Sequence, residues 1–297
     1  MQIPLHELAA LGTATCWAVS ALLASDAVRA LGASHLNLLR QGLVARLLAG
    51  LATVTPARSG IGPHDAALLA VSGLLGIMLG DTLHFAAVGR LGPRRAGAIF
   101  ALNAPMAATM GWAFLGETLA LKAAAGIALT AAGVALAILG RSQAGAHRFE
   151  ALRGTLAIGT LCGLGAALGQ ASGSLIARPV MTAGTDPYFA SLLRVGASGF
   201  AMALVAATPL APSAPRLWPR GVLALAALTA VIGLLIGMTL FLYALQGSKT
   251  GIIATLSATS PVIILPLLWL RTGQRPTPTS WLGAVAAVAG LWLIFSD

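Results

Sequence analysis

Leu38-Leu39-Arg40-Gln41-Gly42 recurs 154 residues later as Leu192-Leu193-Arg194-Val195-Gly196. The echo extends in both directions along the chain. Gly80 and Thr82 return as Gly237 and Thr239, and Pro105 as Pro261. Gly116-Glu117 returns as Gly273-Gln274, and Gly126 with Gly133 as Gly283 with Gly290. The offset stays between 154 and 157 throughout. With 35 glycines in 297 residues single coincidences are expected, but a near-constant offset is not. The chain therefore reads as two copies of one unit, residues 1–145 and 146–297, divided by the polar stretch 141–153.

Each copy holds five apolar runs close to the roughly 20 residues that cross a bilayer as a helix. The first five cover residues 8–25, 36–54, 66–89, 96–116 and 123–140, and the second five cover 155–177, 188–208, 222–247, 250–270 and 279–295. Turn chemistry separates them at Thr55-Pro56, Gly62-Pro63, Gly92-Pro93, 209–219 and Pro276 with Pro278. Only 9% of residues are charged and 58% are hydrophobic, against about 25% charged in a soluble domain. So few charges cannot cover a water-facing surface, and long unbroken apolar runs select helices over a barrel. The expected fold is all-α: a polytopic membrane protein of ten transmembrane helices. Five crossings per copy put the second copy into the bilayer upside down, giving two inverted five-helix repeats, a recurring plan of secondary transporters.

The net charge of +10 comes from sixteen Arg and two Lys against eight acids. These cations sit singly between apolar runs and form no stripe, so they read as membrane-flanking anchors and not as a nucleic-acid surface. Cys16 and Cys162 both lie inside apolar runs; neither a disulfide framework nor a metal set is expected. Cofactors are not expected either, and no phosphate-binding P-loop supplies ATP directly. The expected partners are a small-molecule substrate and the lipid bilayer, with the chain a monomer or homodimer.

From Gly80 to Leu139 a polar third helix leads to Arg90-Leu91-Gly92, Arg95-Ala96, Pro105, Leu115-Gly116-Glu117 and a glycine-spaced fifth helix; residues 251–261 and 273–290 repeat the order, with Gln274 in place of Glu117. This ordered set resembles the drug/metabolite transporter superfamily, in its EamA-like branch, over nearly the whole chain. The resemblance implies ten-helix carriers with a central cavity between the halves, fifth and tenth helices at the periphery, and export of metabolites or drugs across the inner (plasma) membrane.

Polar groups inside spans are costly and face a cavity or a partner, which gives the candidate site. Asp81 and His84, three residues apart, share a helix face and read either as a proton-handling pair or as groups tied to an arginine and a carbonyl. On the first reading Asp81→Asn abolishes gradient-driven transport while leaving the protein folded. Arg40 and Arg194 occupy equivalent repeat positions and read as receivers of an anionic group or as snorkelling anchors. Arg46 lies deeper in its run and requires a partner such as Asp81 or a wet cavity. Pro105 and Pro261, beside Asn103 and Thr259-Ser260, read as mid-span kinks. Trp17, Ser20, Gln170, Ser174 and Tyr243 read as pocket-lining groups or as interhelical hydrogen-bonders. Glu117 is expected to charge the start of the fifth helix.

Three function classes follow. A carrier accounts for the repeat and the polar interior. An intramembrane enzyme would use Asp81 and His84, but no nucleophile or metal motif accompanies them. A channel would show no saturation. The loops after odd-numbered runs hold 11 basic residues and those after even-numbered runs hold 4. The positive-inside rule then places both termini outside, whereas the family resemblance places them inside.

Overall fold

The computed structural model describes residues 5–54, 61–118, 120–139, 155–209, 219–273, 275 and 277–295. The polar divider 141–153 and Gln274 lie outside the described residues. Within them every regular element is helical, and no strand occurs. In chain order the helical rods are α1 (Leu5–Leu31), α2 (Ala33–Val54), α3 (Pro63–Leu91), α4 (Pro93–Phe100 continued by Asn103–Leu115) and α5 (Leu121–Leu139). The second copy supplies α6 (Leu156–Thr182), α7 (Pro187–Ala206), α8 (Arg220–Gly247), α9 (Thr250–Ser257 continued by Ser260–Thr272) and α10 (Pro278–Phe295).

Among the described residues, seven helices are long and apolar enough to cross a membrane, in α1, α3, α4, α6, α7, α8 and α9. Helix α2 falls outside that set because its sequence is interrupted by Asn37, Arg40, Gln41 and Arg46, the first three of which are buried. The outside of the bundle is apolar, with Phe114, Leu121, Phe200, Leu270 and Trp292 standing largely exposed. An apolar exterior around a core that also buries polar and charged side chains suits lipid as the surrounding solvent.

The core is held together across the two copies. Helix α1 packs along α8, and α6 along α3. Small residues let the backbones meet: a Cβ on Gly169 would stand 2.8 Å from the Leu75 carbonyl oxygen, and one on Gly173 2.9 Å from that of Ser72. The Ser72 hydroxyl donates to the Gly173 carbonyl at 2.5 Å. In the α1–α8 contact Gly233 lies against Ser20 and Gly237 against Cys16 and Trp17. Helices α5 and α10 interlock in the same manner, with Gly133 against Gly283 and Ala287, and Gly290 against Gly126 and Thr130. Close approach of this kind is how helices associate where lipid provides no hydrophobic drive between them.

Two local departures recur in both copies. Leu74–Asp81 in α3 and Ala230–Gly237 in α8 are π-helical, bonded i→i+5. Such turns leave carbonyls without their usual amide, and side chains cover several of them. Thr82 donates to Met78 O and Thr239 to Leu235 O, at 2.5 and 2.6 Å. From neighbouring helices Asn37 Nδ2 reaches Ile77 O at 3.1 Å and Trp17 Nε1 reaches Gly233 O at 3.2 Å.

The second departure corrects the proline reading. Helix α4 breaks at residues 101–102 and α9 at 258–259. Pro105 and Pro261 therefore sit in the first turn of a new segment, where a missing N–H removes no helical bond, and not in the middle of a kinked helix. Neighbouring side chains bond carbonyls at the end of each preceding segment: Asn103 Nδ2 donates to Phe100 O at 2.7 Å, Thr259 to Leu256 O at 2.7 Å and Ser260 to Ser257 O at 2.9 Å. Both continued segments end on glycine in the left-handed region, Gly116 at φ 65° and Gly273 at φ 70°, a conformation for which glycine alone has no Cβ penalty.

Candidate functional site

A small cavity of about 50 Å³ lies between α1, α3, α4, α8 and α9, with α2 and α6 behind. Its polar lining is Ser20, Arg40, Asp81, His84, Gln170 and Ser260, and its apolar walls include Trp17, Phe85, Phe100 and Met238. Both copies contribute.

The charged centre is an ion pair. Arg40 Nη1 donates to Asp81 Oδ2 at 3.3 Å, with Arg40 3% exposed and Asp81 20%. The other Arg40 amine reaches Thr229 O at 3.5 Å, which also accepts from the Ser20 hydroxyl at 3.2 Å. The guanidinium lies over the Phe85 ring, 4.4 Å from its centre, a cation–π contact that strengthens away from water. His84 sits against Phe100 with ring centres 4.7 Å apart, and Trp17 meets Phe100 edge-on at 6.0 Å.

Arg194 is a second buried guanidinium, fully enclosed. It stands behind the cavity wall, where Nη1 meets the Met238 sulfur at 3.4 Å. A Cβ on Gly76 would touch both Arg194 Nη2 and Gln170 Oε1, at 3.1 and 3.7 Å, so α3 needs glycine there to admit the two side chains. Neither Arg194 Nε nor Nη2 has a hydrogen-bond partner among the described residues, and the same holds for Arg40 Nε, Gln170 Nε2 and His84 Nδ1. Burial of Arg40 and Arg194 removes the snorkelling alternative for both.

The remaining candidates divide. Trp17, Ser20, Asp81, His84 and Gln170 line the cavity. Ser174 is buried but bonds Ala171 O on its own helix at 2.8 Å. Asn103 and Thr259 serve the helix breaks and do not line the cavity; Ser260 does. Tyr243 lies elsewhere, stacked on His6 at 4.6 Å, with its carbonyl bonded to His6 Nδ1 at 3.0 Å. Arg46, expected to lie deep with a partner such as Asp81 or in a wet cavity, is exposed. Periodicity could not separate the two faces of α2, and Arg40 took the carboxylate instead. Phe85, Phe100 and Met238 were missed because apolar residues in an apolar run carry no signal of their own.

Glu117 also corrects an expectation. It does not charge α5. Its carboxylate accepts from Thr250 N at 3.1 Å and from the Thr250 hydroxyl at 2.9 Å, at the first turn of α9 in the other copy. Arg178 Nε of α6 lies 3.6 Å away. Ser248, bonded to Glu7 at 2.5 Å, also ties this end of the bundle across the copies, and Gln246 Nε2, bonded to Thr185 O at 2.9 Å, ties α8 to the α6–α7 turn within the second copy. At the other end the described cross-copy ion pair is Arg271 with Asp26, at 3.1 Å.

The sequence profile of the EamA-like transporter family matches residues 5–139 and again 157–296. The chain belongs to the EamA-like transporter family. The two matches coincide with the two helical copies, so an EamA-like unit is present twice and the protein is a multi-pass membrane protein of transporter type. No curated protein matches it. A solved crystal structure of a protein at 20% identity superposes with a TM-score of 0.70, covering 97% of this chain and 95% of that one; the likeness supports the fold of this EamA-like chain.

Proposed function

We propose that this protein is a secondary transporter carrying a small metabolite or drug-like solute, in the direction of export, across the inner membrane by alternating access. Its ten helical rods would all span the bilayer, as two inverted five-helix repeats. The observation that carries this reading is the cavity built from both copies around a buried ion pair, Arg40 with Asp81. Ionisable groups at this depth are expensive and mark solute or ion pathways.

The contacts across the copies support inversion. Gly133 meets Gly283 while Gly290 meets Gly126, an antiparallel exchange of equivalent positions that a two-fold axis in the membrane plane produces. The end closed by Glu117, Thr250 and Arg178 would be the shut gate, reopening when the copies rock against each other. Asp81 and His84 are the proposed proton-handling pair: protonating the Asp81 carboxylate releases Arg40 from its partner and changes the charge of the site.

The test is untargeted metabolite profiling of medium and cell extract from cells expressing the wild type, Arg40→Gln/Asp81→Asn, or an empty vector. A metabolite class that leaves the cell with wild type alone is expected. A chemically converted product with no net flux would instead support an intramembrane enzyme and defeat the transporter reading, and flux that does not saturate would indicate a channel.

A further inference from the structure

The charges around the cavity do not balance. Among the described residues two guanidinium groups, Arg40 and Arg194, are buried there against one carboxylate, Asp81. His84 in its neutral form adds nothing, so the centre carries one net positive charge. An uncompensated buried charge is costly, and proteins pair such charges or hydrogen-bond them fully. Here they are not fully bonded. The unpartnered groups on the cavity side are mostly donors: Arg40 Nε and Gln170 Nε2 on lining residues, with Arg194 Nε and Nη2 directly behind. A cation would add to the imbalance, and a zwitterion or a neutral solute would leave it unchanged. A solute with one negative charge removes it and supplies the missing acceptors.

The walls specify the rest of the solute. Trp17 and the His84 ring both pack on Phe100 in the cavity wall, and Phe85 is already held by Arg40. Rings so placed favour a flat apolar body by stacking and edge contacts. The lining residues of α3 and α4, Asp81 to Phe100, flank the turn that carries Arg90 and Arg95. That end of the bundle is rich in arginine, and a positive field concentrates anions.

We infer that the cargo is a small oxyanion with a flat apolar body, an aromatic carboxylate or sulfonate. Its charged end is received by Arg40 and Gln170 in the field of Arg194. This assigns a cargo class to the site of the transporter reading and rests on that reading for the word cargo; the anion-binding claim stands on the site alone. Arg194 acts from behind Gln170 and Met238 as a positioning charge, and Gln170 makes the direct contact.

The experiment is calorimetric titration of the purified full-length protein with phenylacetate, its amide phenylacetamide, 2-phenylethylamine, phenylalanine and cyclohexylacetate. Phenylacetate is expected to bind at least about tenfold more tightly than the amide, as loss of a charge-assisted hydrogen bond implies, and more tightly than the amine, the zwitterion and the non-planar acid. In Arg194→Gln that preference over the amide should shrink to about one, since the net charge is gone; Gln170→Leu, which removes the amide away from the ion pair, should reduce it as well and serves if Arg194→Gln does not fold. Equal binding of acid and amide, tighter binding of the amine or zwitterion, or no binding of phenylacetate overturns the inference. Equal binding of cyclohexylacetate overturns its flat-body part. Counterflow of toluenesulfonate, charged at every pH, in proteoliposomes separates the two readings. Binding without flux keeps the anion site and removes the transporter reading. Flux of a cationic or neutral solute without anion binding keeps the transporter and removes this inference.

Discussion

Replacing Asp81 by asparagine should destabilise the protein, and removing Arg40 at the same time should restore it. Arg40 is 3% exposed, and its described carboxylate partner is Asp81 at 3.3 Å. At that separation and an effective dielectric constant near 20 the attraction is about 5 kcal/mol. Breaking a buried pair from one side costs about 3–5 kcal/mol, because the remaining charge is left uncompensated. Asp81 is 20% exposed, so water recovers part of that, and we expect Asp81→Asn to cost about 2–4 kcal/mol. The second guanidinium, Arg194, loses its nearest counter-charge in the same step. In Arg40→Gln/Asp81→Asn both members of the pair are neutral and the net charge of the centre is that of the wild type, and we expect the double variant to lie within about 1 kcal/mol of wild type. The assay is reversible unfolding of the purified protein in mixed micelles with increasing SDS, followed by tryptophan fluorescence, for wild type, both single variants and the double. Asp81→Asn within experimental error of wild type, or a double variant no better than Asp81→Asn, would refute the reasoning: the pair would then be solvated and energetically idle. The structure thereby changes what the sequence alone suggested for Asp81→Asn. A transport defect in that single variant mixes a lost proton site with lost stability, and only the double variant separates them.

Gly173→Val should prevent assembly of α6 on α3, because a Cβ there already meets the Ser72 carbonyl at 2.9 Å; Gly196→Ala, with nothing within 4 Å, should be neutral or gain up to about 1 kcal/mol of helix propensity, and equal melting temperatures for the two would contradict the packing described. Glu117→Ala should cost about 1–2 kcal/mol through the lost cap on α9 and the unpaired Arg178, seen as a lower melting temperature; no change would mean this end is not tied by that carboxylate. Thr82→Val and Thr239→Val each uncover one π-turn carbonyl and should cost about 1 kcal/mol apiece, additively given their separation, while stability unchanged in both would show those carbonyls to be satisfied otherwise. Arg46→Gln, exposed, should leave both unfolding and transport within error, and a loss of either would mean that this side chain has a buried role.

The architecture was largely legible because repetition is a long-range signal that survives degenerate composition. The constant offset linking Arg40 to Arg194 and Gly126 to Gly283 needed no knowledge of packing. The buried ionisable groups were legible for the opposite reason, being rare in an apolar chain. The sequence could not show which of two arginines, six residues apart on α2, faced inward; that depended on where α3 placed Asp81. Nor could it show that Glu117 reaches α9, since a cap formed between distant segments has no local pattern. The aromatic walls were hidden among other apolar residues, and Tyr243 looked like a pocket group until the fold placed His6 beside it.

The π-turns have a consequence for phase. A residue added to a turn rotates everything beyond it by about 100° relative to an uninterrupted α-helix. In α3 the π stretch ends at Asp81, so Asp81, His84 and Phe85 emerge on a face that counting from Pro63 would assign to other residues. Helix α8 resets its register at the equivalent place, just before Met238. Winding the same residues as an unbroken α-helix would turn the carboxylate away from Arg40, whereas deleting one residue between 74 and 80 would remove the π-turn and keep that face. The angular address of the site is thus written as a dislocation in the backbone, and the side chains alone do not specify it.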